Sequence, residues 1–182
     1  MTTLIILAVA AILVLWVISV QRKLVKQEEI CKNGLSQIGV QQSNRWDALK
    51  ALAELTKGYS DYEYKAITDT IAMRRPVTGS STGADADAQD KLFTQALSHL
   101  NVVVEKYPEL KASENYAKTM DSVNMYTQQV RMSQMVYNDS VTNFNRIIRQ
   151  FPDSIVASLF RFTQRDYLQV NEAKAEMPSM KF

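Results

Sequence analysis

The sequence predicts an all-α protein in which an N-terminal transmembrane helix continues into an elongated antiparallel bundle of three long helices, followed by a short C-terminal helix. Three observations support this fold class. The start of the chain is almost wholly apolar, apolar residues recur every three or four positions through most of the rest, and only 5 glycines and 4 prolines interrupt the 182 residues. Chains with so few helix-breaking residues are usually helical.

The N-terminal run from Leu4 to Val20 contains no charged residue, no proline and no glycine. As an α-helix it is about 26 Å long, slightly less than the ~30 Å of membrane hydrocarbon, and the preceding residues or local thinning of the bilayer make up the difference. A single apolar run can cross lipid only as a helix, because every backbone N–H and C=O must be paired within it. We therefore expect a transmembrane helix at residues 4–20.

A cleaved signal peptide or a buried core helix could also contain an apolar run of this kind. No lysine or arginine precedes the run, and its only small-x-small site, Ala8–Ala10, falls inside it. The residues before Cys31 lack the small and apolar side chains of a lipoprotein cleavage site. These features favour an uncleaved membrane anchor.

The residues that flank the run predict its orientation. Four basic residues follow it closely: Arg22, Lys23, Lys26 and Lys32. Because positively charged flanks remain in the cytoplasm, the body of the protein is expected there. The predicted organisation is a short extracytoplasmic N-terminus at residues 1–3, the span at 4–20, a cytoplasmic helical bundle at 21–170 with a loop at 76–84, and a flexible tail at 171–182.

Composition argues against several classes of function. The net charge of +2 is nearly balanced and no long basic block is present, so nucleic acid is not expected as a partner. The single cysteine, Cys31, permits no internal disulfide, and together with the single histidine, His99, it does not complete a usual zinc site. The roughly 160 residues beyond the span suffice for one domain with its own core.

The segment from Arg22 to Arg75 contains no proline and predicts one long amphipathic helix that continues the span. Its stripe consists of Cys31, Leu35, Ile38, Gln42, Trp46, Leu49, Leu52, Leu55, Tyr59, Tyr62 and Ala66. Gly34, Gly39 and Gly58 are interpreted as bends or close helix contacts.

Two further long helices are predicted beyond the loop. The second begins near Asp85 and ends at Tyr107 before Pro108, and the third is capped by Ser113 and extends to Pro152. The third helix carries the most regular stripe: Tyr116, Met120, Val123, Thr127, Val130, Gln134, Tyr137, Val141, Phe144, Ile148 and Phe151. A short helix and an irregular tail are expected after Pro152.

The predicted helix lengths suggest how the bundle is arranged. Beyond the membrane the first helix would be about 80 Å long and the third about 57 Å. If the third helix pairs with the membrane-distal part of the first, residues 21–33 have no partner within the chain, and neighbouring subunits are expected to cover them. The predicted oligomer contacts are Leu24, Val25, Ile30, Cys31, Phe160 and Phe162.

An aromatic and basic segment near the C-terminus, which includes Phe160, Phe162 and Tyr167, has two interpretations. It is either an interfacial membrane segment or a contact for another subunit. The helix lengths place Phe151 at the end of the body away from the membrane, which favours packing on the bundle or on a neighbouring subunit.

No catalytic, cofactor or metal site is expected. His99 has no carboxylate or thiol three or four residues away, and Cys31 lies on the apolar stripe, where a small core or interface residue is the simpler interpretation. The segment Gly79–Gly83 lacks the Gly-Lys-Ser/Thr ending of a phosphate-binding loop. The carboxylate pairs Glu28–Glu29 and Asp61–Glu63 are typical of solvated helix faces.

Three stretches of the chain resemble the LemA family of bacterial membrane-anchored proteins. They are Leu35-Ser36-Gln37-Ile38 with Val40-Gln41 and Arg45-x-Asp47, then Ala96-Leu97-Ser98 followed by Glu105 to Ala112, and last Tyr137-Asn138 with Phe151-Pro152. The resemblance implies an α-helical cytoplasmic domain on a single span in the bacterial inner membrane. It implies no activity, since the family lacks an agreed biochemical function; some relatives are linked to the building of internal membranes and others are encoded near membrane proteases.

The chain departs from the family pattern at several positions. The family's tryptophan before Ser-Gln-Ile is Leu35, and its Phe-Gly-Phe near the end is Phe160-Arg161-Phe162. A glutamate and an arginine common on the third helix fall at Thr127 and Gln134. With Gln42 these two form a polar seam among the stripe positions, and we hypothesise that a buried ionic layer has become a neutral one that fixes helix register.

Together these observations predict a non-enzymatic, membrane-anchored structural protein that self-assembles through its long helices to scaffold, shape or organise the bacterial inner membrane. Its expected partners are membrane lipid, further copies of itself and a membrane protein. The alternative is a monomeric membrane adaptor that docks a protease, a sensor or another membrane protein. The stripe at residues 24–31 distinguishes the two, because an assembly buries it against copies of itself whereas an adaptor leaves it free for a partner.

Overall fold

The structure, a computed structural model, describes residues 1–169, and within that range it contains six helices and no strand. The helices are α1 (Thr2–Glu54), α2 (Asp61–Ala72), α3 (Gly83–Lys106), α4 (Pro108–Lys111), α5 (Glu114–Arg149) and α6 (Asp153–Leu159). The predicted all-α class is confirmed: α1, α3 and α5 are long, and α6 is the short C-terminal helix. The flexible tail predicted at 171–182 lies outside the described residues.

The expected continuous helix from Arg22 to Arg75 is wrong, because the chain turns after Glu54. Thr56 donates a hydrogen bond from Oγ1 to the carbonyl oxygen of Ala53 at 2.7 Å, which holds the turn. Ser60 then caps α2 by accepting a hydrogen bond from the backbone N–H of Glu63 at 3.4 Å. The helix that begins there packs on α3 rather than extending α1.

The starts of α3 and α5 are fixed by side-chain caps. Thr82 and Asp85 form a reciprocal capping box, so α3 begins slightly before the predicted position. The hydrogen bonds from Thr82 hold the pKa of Asp85 below its usual range. Ser113 accepts a hydrogen bond from the backbone N–H of Tyr116 at 3.3 Å, which confirms the predicted cap of α5.

Helices α1 and α5 run antiparallel and form the main contact of the fold. Near the span, Lys23 Nζ lies 3.1 Å from Asp153 Oδ2, just beyond the end of α5, and Gln27 Nε2 donates to the carbonyl oxygen of Ser140 at 3.3 Å. At the far end, residues of α1 from Asn44 to Ala51 face residues of α5 from Lys118 to Tyr126. The two helices therefore pair along the whole length of α1 beyond the candidate span.

The pairing buries two apolar clusters. The membrane-proximal cluster joins α1, the C-terminal half of α5 and α6, and includes Leu24, Cys31, Tyr137 and Phe144. The membrane-distal cluster joins the end of α1 to α2, α3 and the start of α5. Stripe positions of α1 from Cys31 to Leu52 are buried, whereas Tyr59 and Tyr62, beyond the break, are exposed.

The prediction that residues 21–33 lack a partner within the chain is wrong for the face that α5 covers. Leu24 and Cys31 are fully buried by the protein's own helices. The reason is the length of α1: because it ends at Glu54, the part beyond the candidate span is about 51 Å long and α5 is about 54 Å long, so α5 reaches back to the candidate span. Phe151 therefore lies at the membrane-proximal end, not at the far end.

The segment between α2 and α3 crosses α1 at Gly39. A Cβ atom at this position would lie 1.8 Å from the carbonyl oxygen of Val77, so only glycine permits the crossing. Gly79 of the same segment lies close to Lys32 of α1. Gly39 is thus a close contact, one of the two roles that the sequence suggested for it.

We predict that Gly39→Ala lowers the free energy of unfolding by roughly 1–3 kcal/mol, because the Val77 backbone must move to admit the methyl group. Helix propensity alone would change stability in the opposite direction. Gly58→Ala is the matched control, since a Cβ there meets nothing within 4 Å, and it should change stability by less than about 1 kcal/mol. Urea unfolding of the detergent-solubilised protein, followed by circular dichroism, measures both, and equal effects would contradict the proposed crowding.

Arg161 ends α6 in a left-handed conformation, with φ of 59°. The backbone N–H of Phe162 donates to the carbonyl oxygen of Ala157 at 2.9 Å, and that of Arg161 donates to Ser158 at 3.1 Å. This is the Schellman arrangement, whose left-handed residue is usually glycine. The position is the one at which the resemblance places the glycine of Phe-Gly-Phe.

We predict that Arg161→Gly raises the free energy of unfolding by about 0.5–1 kcal/mol, because glycine avoids the steric cost of the left-handed conformation. Arg161→Ala keeps a Cβ and serves as the control, for which no gain is expected. The same urea unfolding measurement applies, and a gain of equal size for alanine would show that loss of the arginine side chain, not backbone relief, is responsible.

Candidate membrane anchor and interaction surfaces

The start of α1 is the one helix segment among residues 1–169 that is long and apolar enough to cross a membrane, with a mean hydropathy of 2.9 over its most apolar window. Residues 4–15 are exposed along their whole length. Coverage by the rest of the protein begins at Trp16 and Val17, which pack against the membrane-proximal cluster, and is complete at Val20. The candidate span thus enters the folded body before its apolar run ends.

The predicted oligomer contacts divide into two groups. Leu24 and Cys31 are buried inside the chain and are not available to a neighbour. Val25 and Ile30 remain 44% and 42% exposed on the face of α1 that α5 leaves uncovered. Phe160 is also exposed, whereas Phe162 is half-buried and packs edge-on against Phe144, with ring centroids 6.3 Å apart.

The predicted polar seam residues lie on packed faces but do not form one network. Gln42 is buried, and its Nε2 donates to the carbonyl oxygen of Ala86 at 3.1 Å. Thr127 donates to the carbonyl oxygen of Val123 within its own helix at 2.7 Å. Gln134 is buried, and its Nε2 has no hydrogen-bond partner within residues 1–169.

Sequence reasoning missed a buried arginine beside this seam. The Nη2 atom of Arg45 lies 2.6 Å from Oδ1 of Asp90, and the guanidinium carbon lies 3.9 Å from the ring centroid of Phe93. Burial lowers the pKa of Arg45, and the Asp90 carboxylate opposes that shift. The only sequence signal was position: Arg45 is three residues beyond Gln42 and four before Leu49, on the packed face of α1.

Arg45, Asp90 and Gln134 line a cleft of about 550 Å³ between α3 and α5. The Nε atom of Arg45, like the Nε2 atom of Gln134, has no partner among the described residues. Of the residues described, those that line the cleft supply two guanidinium groups, one carboxylate, three side-chain amides and two threonine hydroxyls, but no paired general acid and base and no activated nucleophile. The geometry is that of a structural ion pair in a polar gap of the bundle.

His99 contacts a carboxylate of another helix, although its own helix provides none. Its Nδ1 lies 3.2 Å from Glu63 Oε2 of α2. This contact links α2 to α3 and accounts for a half-buried histidine without any reaction. Within residues 1–169, no three His, Cys, Asp or Glu side chains are placed to share a metal ion.

Most of the chain matches the sequence model of a known protein family. The sequence model of the LemA family matches residues 34–182. The chain belongs to the LemA family. No curated protein matches it.

The LemA match begins at Gly34 and so includes most of the bundle, but neither the candidate span nor residues 21–33 of α1. Within this LemA-family bundle the two positions at which the sequence resemblance places a charged pair, Thr127 and Gln134, behave differently from each other. Thr127 satisfies its hydroxyl locally, whereas Gln134 leaves an amide group buried without a partner among the described residues. The neutral layer hypothesised from the sequence is therefore incompletely hydrogen-bonded.

We predict that Gln134→Leu raises the free energy of unfolding by about 1–2 kcal/mol, because it removes a buried polar group that lacks a partner among residues 1–169. Gln42→Leu has the same change of side chain at an equally buried position and loses a formed hydrogen bond, so it should lower stability by about 0.5–1.5 kcal/mol. Parallel urea unfolding of the two variants tests this difference in sign. Destabilisation by both would mean that the Gln134 amide is satisfied in solution.

Proposed function

We propose that this LemA-family protein is a non-enzymatic scaffold of the bacterial inner membrane, anchored by α1 with its bundle in the cytoplasm. Membership of the LemA family and the apolar N-terminal helix support a membrane-anchored helical protein. The basic residues Arg22, Lys23 and Lys26, which follow the span directly, favour the cytoplasmic location. Copies of the protein associate side by side and organise or shape the membrane through geometry.

The observation that supports the proposal is the exposed apolar surface on α1 and α5. On the part of α1 next to the candidate span it comprises Val25 and Ile30, and we name these two residues the α1 patch; Val40 is exposed farther along the helix. On α5 large apolar side chains lie exposed on the outer face: Met125, Met132, Met135 and Val136. Apolar side chains grouped in this way on a folded surface mark protein contacts or membrane contacts.

The membrane restricts how copies meet. Proteins inserted in one orientation are related by axes along the membrane normal, so residues at matching heights contact each other. Lys26 and Glu29 lie between Val25 and Ile30 on the same side of α1, are exposed, and take part in no ion pair within residues 1–169. Since they are only about 4.5 Å apart in height, Lys26 of one copy can pair with Glu29 of the next. The face is therefore complementary to itself in both charge and apolarity.

The test is the mass and shape of the full-length protein in nanodiscs, measured by mass photometry with negative-stain imaging. Large uniform particles are the expected result. In the double variant Val25→Glu, Ile30→Glu the particles should fall to smaller species, because negative charge replaces the α1 patch while the buried face of α1 is unchanged.

Val102→Glu is the matched control. Val102 is an exposed valine of α3, away from the span, and its substitution should leave the particles intact. A clean monomer for the unsubstituted protein would contradict the scaffold and favour a monomeric adaptor whose α1 patch docks another membrane protein. Crosslinking from Ile30 would then be used to capture that protein.

A further inference from the structure

Helix α6 lies at the end of the folded body nearest the membrane, and the path of the chain shows why. Helix α5 runs toward the span, and Lys23, three residues beyond the apolar run, pairs with Asp153 at the start of α6. After α6 the chain runs back along α5: Arg165 exchanges hydrogen bonds with Asn145, and Leu168 with Asn138. The turn that contains α6 is therefore the part of the body nearest the membrane.

The depth of α6 relative to the membrane follows from the residues of α1 that it covers. Val156 and Ala157 of α6 belong to the same buried cluster as Val20, and Trp16 packs against that cluster. Trp16 and Val20 lie within the apolar run and are separated by about 6 Å along the helix axis. The part of the run that is exposed on every side, residues 4–15, is only about 18 Å long, whereas membrane hydrocarbon is ~30 Å thick. The hydrocarbon boundary therefore falls at the level where α6 covers α1.

The side of α6 that faces away from the bundle is apolar. Phe151, Ile155 and Leu159 follow one another at steps of four and are 77%, 57% and 70% exposed, and the adjoining Phe160 is 48% exposed. Such a row is costly in water but suits the boundary between headgroups and acyl chains, where amphipathic helices insert by about 5–10 Å.

The charges around this row fit a membrane surface as well. Arg149 and Arg161 flank it, are exposed, and form no ion pair within the described part of the chain. The one acidic residue of α6, Asp153, is paired with Lys23. The exposed side of the turn thus carries positive charge next to apolar side chains, the combination that anionic lipid attracts.

We infer that α6 is a second membrane contact: the row Phe151, Ile155, Leu159 and Phe160 inserts into the cytoplasmic leaflet beside the span, with Arg149 and Arg161 at the lipid headgroups. This inference rests on the proposed anchor but not on self-assembly. It reverses the preference drawn from helix lengths, which placed this segment far from lipid. It also assigns Phe160 to lipid instead of a neighbouring subunit.

The test uses nitroxide labels on the full-length protein in liposomes of phosphatidylcholine and phosphatidylglycerol. Separate variants Leu159→Cys and Ile155→Cys carry the label, and the unsubstituted chain is the blank because the Cys31 thiol is fully buried. Power-saturation electron paramagnetic resonance compares collisions with oxygen, which concentrates in lipid, and with a water-soluble nickel chelate. The oxygen-to-nickel collision ratio at both sites is expected to exceed that at Tyr62→Cys several-fold. Tyr62 is the matched control, a large and highly exposed side chain of α2 that belongs to neither proposed contact surface.

A label at Leu7 separates this inference from the proposed function. If the Leu7 label is in lipid and both α6 labels report water, the anchor stands and the α6 contact is overturned. If the α6 labels are shielded from both reagents, protein covers them and the lipid contact is equally overturned. If the Leu7 label itself reports water, α1 does not span the membrane, and the inferred insertion of α6 is overturned as well. Particle mass from the same preparation tests self-assembly independently, since a monomer with lipid-exposed α6 labels would contradict the scaffold alone.

Discussion

The antiparallel pairing of α1 with α5 is the constraint on which the rest of the fold depends. The part of α1 beyond the candidate span and the whole of α5 differ in length by only a few ångströms, so each end of one lies beside an end of the other. One end of the pair brings α6 to the candidate span, and the other supports α2, α3 and α4. A break in α1 at Glu54 thereby determines what lies at the membrane.

The periodicity of the sequence predicted the class, the long helices and most of the buried face, because the packing of α1 on α5 repeats at nearly the spacing of the heptad. It failed at the break after Glu54. Helix α2 has a similar periodicity, so spacing alone places Tyr59 and Tyr62 on the same stripe, although both are exposed. The local signal for the break was Ser60 followed by Glu63, which is typical of a helix start. Because this signal was missed, the predicted first helix was too long, and Phe151 was placed at the wrong end of the bundle.

Contacts between distant residues were beyond the reach of a single sequence. Arg45 and Asp90 are separated by 45 positions, and neither residue type nor spacing indicates that they meet. Gly39 was expected to be a bend or a close contact, but the partner depends on the path of the segment before α3, which tertiary packing decides. The same holds for His99, whose carboxylate partner comes from another helix.

The described residues offer polar groups that stabilise the bundle and apolar surfaces that face outward. Arg45 is buried beside the partly exposed Asp90, whereas many of the large exposed apolar side chains lie on the outer faces of α1, α5 and α6. This division suits a protein whose work is to hold position. Specificity in such a protein resides in the heights and spacing of its surfaces rather than in a reactive group.

Helix α1 passes from the candidate span into the bundle without a proline or an interruption, over 53 residues. A continuous helix of this kind is stiff, so the bundle cannot change its orientation independently of the candidate span. Tilting the candidate span by about 10° swings the far end of the bundle sideways by about 9 Å. Helix α1 therefore acts as a lever: its short arm is the candidate span, and its long arm converts a small change of tilt into a larger displacement at the far end of the bundle.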